Sequence, residues 1–240
     1  MQILPNVKIE DLAIYFDSCL VISDIHIGYE EALNKQGILV PRLQFEEIIR
    51  RIERIFESLK DKKIEKIIVN GDIKHEFGAI SDQEWRNTLK FIDLLLKYCS
   101  DITLIKGNHD NILGPIARKR NVKVLDHIII GSVLVIHGDK IPDHEILKKA
   151  STVIIGHEHP AISIRDGSRV ESCKCFLKGK FKGKNLIVQP SFNPIIEGTD
   201  ILRDKILSPF LSKTLGNFEV YVVEDKVYEF GKVKDLKKYD

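Results

Sequence analysis

An α/β protein with two β layers is what this sequence predicts, and three observations predict it. Short β-branched runs alternate with amphipathic helical segments through residue 160. Several of those runs stop at a glycine followed by a polar residue, as strands do at a sheet end. Beyond residue 160 come hairpins and further strands without long helices between them.

Taken in order, "LAIYFDSCLVIS" reads as a hairpin entering the core. "RLQFEEIIRRIERIFESLK" puts Phe45, Ile48, Ile49, Ile52, Ile55, Phe56 and Leu59 on one helical face. "SDQEWRNTLKFIDLLLKYC" opens with Ser81 and Glu84 at capping-box spacing and carries Trp85, Leu89, Ile92 and Leu96 as its apolar face. The apolar runs of "KIIVNGD", "ITLIKGNHD", "SVLVIHGD" and "STVIIGHEH" read as strands, and "AISIRDG", "CFLKGKFKGKNLIVQPS" and "EVYVVEDKVYEFGKV" as later hairpins. No low-complexity linker and no internal repeat interrupts the chain, so residues 1–240 are expected to form one domain, with 1–160 bearing the chemistry and 161–240 supplying mainly second-sheet strands.

Composition narrows the class. At 43% hydrophobic and 30% charged residues the balance is that of a globular protein, and a net charge of +2 leaves no whole-surface attraction for nucleic acid or membrane. No apolar run approaches the roughly 18 residues of a membrane span, and "MQILPNVKIEDLAIYF" lacks a signal-peptide pattern, so a cytoplasmic protein with no membrane partner is expected. Cys19, Cys99, Cys173 and Cys175 lack metal-knuckle or redox spacing and read as reduced thiols.

The chemistry gathers at strand ends. "STVIIGHEHP" carries His157 and His159 at i and i+2, which an extended backbone points to one side with Glu158 facing away, and Pro160 biases His159 towards that geometry. The other runs end in Asp24 and His26 ("SDIH"), Asp72 ("NGD"), Asn108, His109 and Asp110 ("GNHD") and His137. Carboxylate, amide and imidazole delivered by five strand ends point to one crevice at the carboxyl ends of the sheet. Gly71, Gly107 and Gly156 precede three of these residues, where a missing Cβ lets the chain turn close to them.

D-x-H, G-D, G-N-H-D, a lone His and G-H-x-H, in that order over residues 24 to 159, resemble the signature of calcineurin-like metallophosphoesterases. Within that family "SDIHIGYEEALNKQGILVP" and "GDIKHEFG" are most similar to archaeal phosphoesterases related to SbcD-type nucleases and to bacterial ligase-associated phosphoesterases. The resemblance implies a four-layer α/β sandwich, two mixed sheets flanked by helices. It implies two divalent transition-metal ions, with Asp72 bridging them, Asp24, His26 and His159 completing one site, and Asn108, His137 and His157 the other. Such a donor set suits Mn, with Fe, Ni or Zn as alternatives, and a paired centre lowers phosphate charge repulsion and the pKa of a bridging water, whose hydroxide is the implied nucleophile. His109, outside that set, is implied as the catalytic proton donor to the leaving oxygen.

One position departs from the family pattern. Three residues after the bridging carboxylate, where many members carry the Asp or Asn that orients the G-N-H histidine, stands His75, which either contacts phosphate or is a polar loop residue; Asp110 is the candidate substitute. Phosphodiesters, nucleic acid or small nucleotides, are the expected substrates, with a phosphomonoesterase and a non-catalytic scaffold on the same fold as alternatives. Lys178, Lys180, Lys182 and Lys184 alternate in "LKGKFKGK", either as a solvated hairpin tip or as a basic edge for a nucleic-acid backbone.

Overall fold

The fold is taken from a computed structural model, which describes all residues except 77–79, 111–112, 167–168, 212–214 and 237–240, and only the backbone at 166 and 169. The ends of "GDIKHEFG" and "AISIRDG" therefore lie outside the described residues.

The first sheet follows chain order: β1 (Gln2–Leu4), β2 (Val7–Glu10), β3 (Ala13–Phe16), β4 (Cys19–Ser23), β5 (Lys66–Asn70), β6 (Ile102–Ile105) and β7 (Lys123–Leu125). Its first half is an antiparallel meander; from β4 onward the strands are parallel. The expected hairpin is β3–β4, closed by Asp17 and Ser18 at φ 42° and 59°. Two positive φ values in succession give the turn twist that matches paired strands.

Crossovers between the parallel strands are helical. Tyr29–Lys35 (α1) and Gln44–Ser58 (α2) join β4 to β5, Asp82–Tyr98 (α3) joins β5 to β6, and Leu113–Arg120 (α4) precedes β7. In α2 the spacing places Ile48, Ile52, Ile55 and Phe56 in the core, with Leu59 just after it, while Phe45 and Ile49 pack at its margin. Ser81 Oγ caps α3 by accepting from Glu84 N–H at 3.1 Å. The Glu84 carboxylate also works beyond the capping box, its Oε1 accepting from the backbone N–H groups of His75 and Glu76.

The second sheet contains β8 (His127–Ile130), β9 (Val133–Ile136), β10 (Thr152–Ile155), β11 (Pro160–Asp166), β12 (Arg169–Phe181), β13 (Lys184–Val188) and β14 (Thr199–Asp200) in the order β14-β11-β12-β13-β10-β9-β8, and β15 (Glu219–Val223) with β16 (Val227–Lys232) joins along β12. It thus begins well before residue 161. Alternation divides its side chains between two faces. Val133, Val135, Ile154, Phe176, Ile187 and Tyr221 enter the core shared with the first sheet, whereas Leu134, Val153, Ile155, Leu186, Val188 and Val222 face a second core. That outer core is covered by α5 (His144–Lys148), α6 (Val233–Leu236) and the segment around Phe210 and Leu211. The result is an α/β sandwich of two mixed sheets with flanking helices.

The lysine run is partly tied down, and the cysteines are as expected. Of the four lysines of the β12–β13 hairpin, Lys178 Nζ meets the Glu219 carboxylate at 2.6 Å, Lys180 Nζ meets Asn185 Oδ1 at 2.7 Å, Lys184 Nζ is bonded to the Ala150 carbonyl, and Lys182 stays exposed with Nζ 5.4 Å from the Phe181 ring. The four cysteines are free thiols, all buried, and burial pushes Cys19 up to about 11 and Cys173 to about 12. No described helix is long and apolar enough to cross a membrane.

Candidate metal centre

The five chemistry-bearing strands are divided between the sheets: β4, β5 and β6 in the first, β9 and β10 in the second. Because the strands within each group run parallel, their carboxyl ends lie together, and the loops that follow meet across the gap between the sheets. Asp24, His26, Asp72 and His137 are almost fully buried there, with His157, His159, Asn108 and His109 nearer the surface.

Three groups of donor atoms form, two of them built around a carboxylate and a third made of the His26, His75 and His109 imidazoles alone. In the first, His26 Nε2 lies 3.4 Å from His159 Nε2, His159 Nε2 is 3.4 Å from Asp24 Oδ1, and Asp72 Oδ2 is 3.8 Å from His26 Nε2. In the second, His137 Nε2 sits 3.0 Å from Asn108 Oδ1, 3.2 Å from His157 Nδ1 and 3.4 Å from Asp72 Oδ2. Metal–donor bonds of about 2.1 Å place neighbouring donors about 3.0–3.5 Å apart, so most of these separations already suit a bound ion. Asp24, His26 and His159 form one group of ligand atoms within 4.8 Å of one another, and Asp72, His137 and His157 another. Asp72 Oδ2 faces both.

The side chains also lack the partners that a hydrogen-bonded polar cluster would provide. Asp24 Oδ1, His26 Nδ1 and His137 Nδ1 are buried without a hydrogen-bond partner. Burial holds His26, His137 and His157 below the usual imidazole range, in the neutral form that can donate a lone pair. Burial, reinforced by Asp24 and Asp110, pushes the Asp72 carboxyl well above the usual carboxylate range. Divalent cations would relieve that repulsion, and this donor set fits them.

The second oxygen of each aspartate is fixed by backbone. Asp24 Oδ2 accepts from His157 N–H at 3.0 Å and Asp72 Oδ1 from His109 N–H at 2.9 Å. The preceding glycines leave the space: a Cβ at Gly107 would lie 2.0 Å from Asp72 Oδ1, and one at Gly156 2.2 Å from Asp24 Oδ2.

His157 and His159 converge by a different route from the one their spacing suggests. Strand β10 ends at Ile155, and both histidines adopt left-handed backbone, at φ 65° and 50°, despite Pro160. Glu158 does turn away, its Oε2 accepting from Leu207 and Ser208 N–H. Those two bonds hold the turn that extended geometry was expected to supply.

His109 lies beside the donor groups with Nε2 3.9 Å from Asp72 Oδ2. Its Nδ1 is 2.5 Å from the His75 carbonyl; a carbonyl only accepts, so Nδ1 carries the proton. Position 75 therefore does hold His109, through its backbone, while the His75 ring packs face to face with it at 5.5 Å. Asp110 does not take over that task. Its carboxylate is buried and accepts from Gly107 and Ile73 N–H.

Several buried supports went unnoticed in the sequence. After β13, Gln189, Ser191 and Asn193 stitch the loop bearing Asp24 and His26: Ser23 Oγ donates to Gln189 Oε1 at 2.9 Å, Ser191 Oγ to the Asp24 carbonyl at 2.6 Å, and Asn193 Nδ2 to the carbonyls of Ile25 and His26. Gln44 Nε2 donates to the same His26 carbonyl at 2.8 Å. Because β13 is parallel to β10, its carboxyl end lies with the others, and "VQPSFN" is one more apolar run ending in polar residues.

Comparison with known proteins agrees with this geometry. The family model described as calcineurin-like phosphoesterase matches residues 18–188, and the chain belongs to that family. The family's chemistry is metal-dependent hydrolysis of phosphoric esters at a divalent-metal centre, and candidate ligand groups for such a centre are in place. The fold is similar to that of a nuclease, MPE, from Pseudomonas putida, with 20% identity over 92% of this chain and 93% of that one and a TM-score of 0.62. Vacuolar protein sorting 29 from Cryptosporidium parvum aligns at 16% identity over 89% of this chain and 97% of that one, with a TM-score of 0.38. A search of curated proteins found no match.

Proposed function

We propose that the protein is a di-metal phosphodiesterase. In this reading Asp24, His26 and His159 hold one divalent ion, Asn108, His137 and His157 hold the other, Asp72 joins both, and His109 gives a proton to the leaving oxygen. The observation that carries it is a cage of converging imidazoles and carboxylate oxygens, most of them buried, flanked by an imidazole whose Nδ1 is already engaged. When bound, the ions supply charge neutralisation at the phosphoryl oxygens and a water of lowered pKa. Mixed N/O donors favour Mn, with Fe, Ni and Zn as alternatives.

A diester is favoured over a monoester by the scarcity of further cations. A terminal phosphate is a dianion and is commonly met by arginine forks. The segments 24–30, 70–76, 106–110, 137–140 and 156–160 contain no arginine. Of their three lysines, Lys74 is fully buried with Nζ bonded to the carbonyls of Glu76 and His109, Lys106 faces Asp126 at 3.3 Å, and Lys140 is exposed in a pocket it lines with Asn108. Nucleic acid and small nucleotide diesters both suit such a site. The reading takes residues 1–240 as one working unit, since segments from both halves meet at the cage, and a cytoplasmic setting, which four free buried thiols suit.

The test is hydrolysis of bis(p-nitrophenyl) phosphate beside p-nitrophenyl phosphate by metal-stripped protein with Mn, Ni, Zn or Mg restored. Diester turnover that needs a transition metal and disappears in Asp72→Asn is expected. A preference for the monoester would make the protein a phosphomonoesterase, and silence with every metal would remove the catalytic reading.

A further inference from the structure

In the family pattern a carboxylate or amide three residues beyond the bridging aspartate orients the catalytic histidine. Here that residue is His75, whose ring packs against His109 and whose carbonyl receives the Nδ1 proton at 2.5 Å. A loop carbonyl directs an imidazole only as well as its own peptide plane is held. That plane consists of the His75 C=O and the Glu76 N–H, and the Glu76 N–H donates to Glu84 Oε1 at 3.0 Å. One peptide group therefore joins a buried carboxylate to the imidazole: Glu84 Oε1, then the 75–76 amide, then His109 Nδ1.

We infer that Glu84 is a positioning residue for His109, acting through the 75–76 peptide in place of a direct carboxylate–imidazole contact; this rests on the proposed role of His109. Four features support it. Glu84 Oε1 also accepts from His75 N–H at 2.8 Å, a donor shared with the Ile27 carbonyl at 3.0 Å, so both amides that bound His75 reach one oxygen. Glu84 is fully buried, and its stronger bonds go to this loop, with the capping-box contact to the Ser81 backbone the weakest of the three. It stands in the first turn of α3, anchored there by its own N–H on Ser81 Oγ, where the helix dipole and the loop N–H groups work against the burial that pushes its carboxyl up. Gly28 leaves it room: a Cβ there would come within 3.2–3.3 Å of Glu84 Cγ, Cδ and Oε1.

The chain of bonds has a chemical consequence. With Nδ1–H held by the His75 carbonyl, the donor is the imidazolium: as the P–O bond to the leaving group breaks, its second proton passes from Nε2 to the departing oxygen and leaves the neutral Nδ1–H ring, so Nε2 must be presented at a fixed angle. Hydrogen bonds in series polarise one another, so a carboxylate at the far side of the amide strengthens the carbonyl as an acceptor for Nδ1–H. The same result that a direct Asp–His contact gives is reached with one peptide between the partners.

The test combines a spectroscopic and a kinetic readout on the full chain loaded with zinc. With imidazole 15N labelling, wild type is expected to show a slowly exchanging Nδ1–H signal that His109→Ala removes. Glu84→Asp, one methylene too short to reach, should lose that signal. Glu84→Gln retains an Oε1 acceptor in the same volume, so its signal should persist but move upfield, because a neutral amide accepts more weakly. Glu84→Asp should also slow cleavage of a diester with an alkoxide leaving group by at least ~10-fold while leaving the p-nitrophenolate rate within about threefold, the pattern of lost proton donation. An unshifted signal in Glu84→Gln, a retained one in Glu84→Asp, or equal losses on both leaving groups would overturn the inference. Wild-type silence on every ester would instead remove the proposed function, while the imidazole signals would still decide whether Glu84 holds the ring.

Discussion

Replacing Asn193 with alanine tests how the cage is held. Asn193 is fully buried, and its Nδ2 donates to the Ile25 carbonyl at 3.0 Å and the His26 carbonyl at 3.3 Å, while its Oδ1 accepts from Ile195 N–H at 2.9 Å. The His26 carbonyl keeps Gln44, so the variant strands chiefly the Ile25 carbonyl and the Ile195 N–H. Each stranded buried group costs about 1–3 kcal/mol, and two of them together about 3 kcal/mol. In a chain of this size that lowers Tm by roughly 6–12 °C. The same loop carries His26, so looser anchoring should weaken metal binding by about 10–100-fold, the usual effect of losing an outer support of a ligand. Calorimetry of chelator-treated protein and competition for zinc against a chromogenic chelator measure the two effects. Asn193→Asp should be at least as damaging as alanine, since it sets a carboxylate against two carbonyls. A Tm within about 2 °C of wild type together with an unchanged affinity would refute the reasoning.

Other outcomes follow from the same geometry. Gly107→Ala forces its Cβ into the space of Asp72 Oδ1, 2.0 Å away, so metal-dependent activity should fall by ~100-fold or more, measured against a fold checked by circular dichroism. Metal at about 100 times its Kd should stabilise the folded chain by about 2.7 kcal/mol, raising Tm by roughly 5–10 °C, and a chelator should reverse it; no shift with any transition metal would count against the cage. Glu158→Ala removes the acceptor of Leu207 and Ser208 N–H, so hydrogen exchange at those two amides should accelerate well before exchange in β10 does. Cys19, Cys99, Cys173 and Cys175 should resist a thiol reagent in the native state and all react on unfolding.

What the sequence discloses depends on how local the physical cause is. The faces of α2 and α3 were readable because helical spacing alone sorts Ile48, Ile52 and Ile92 inward. The residues of the cage were readable because an apolar strand must stop somewhere and polar types crowd those stops. Which sheet each strand joins was not, since the "IIV" of β5 and the "VLVI" of β9 are equally apolar, and only the pairing of β9 with β10 and β8 sends the latter to the second sheet. The supports of the cage were hidden for a similar reason. Asn193 meets Ile25 across 168 residues, a relation no local window contains. The capping box placed Ser81 and Glu84 at the start of α3 but could not show the carboxylate's loop partners, because the His75 and Glu76 N–H groups lie outside the spacing that rule reads.

The left-handed backbone at the centre joins these points into one argument. Asp24, His26, Asp72, His157 and His159 have φ between 45° and 65°, a region non-glycine residues seldom occupy and one that costs of order 1 kcal/mol or more at each. Five such residues in one cage cannot be held by local preference. Long-range bonds hold them: Asp24 Oδ2 takes the His157 N–H, Ser191 takes the Asp24 carbonyl, Gln44 and Asn193 take the His26 carbonyl, and the His159 carbonyl takes the Thr199 N–H. Left-handed residues turn the chain sharply at each strand end, so that side chains only two apart, 24 and 26 or 157 and 159, face the same small volume. An extended ending would send the next residues on past the sheet. The backbone conformation that alternation along a strand cannot anticipate is thus what brings two sheets' worth of donors to one place, and it persists because supports from elsewhere in the chain leave it no alternative.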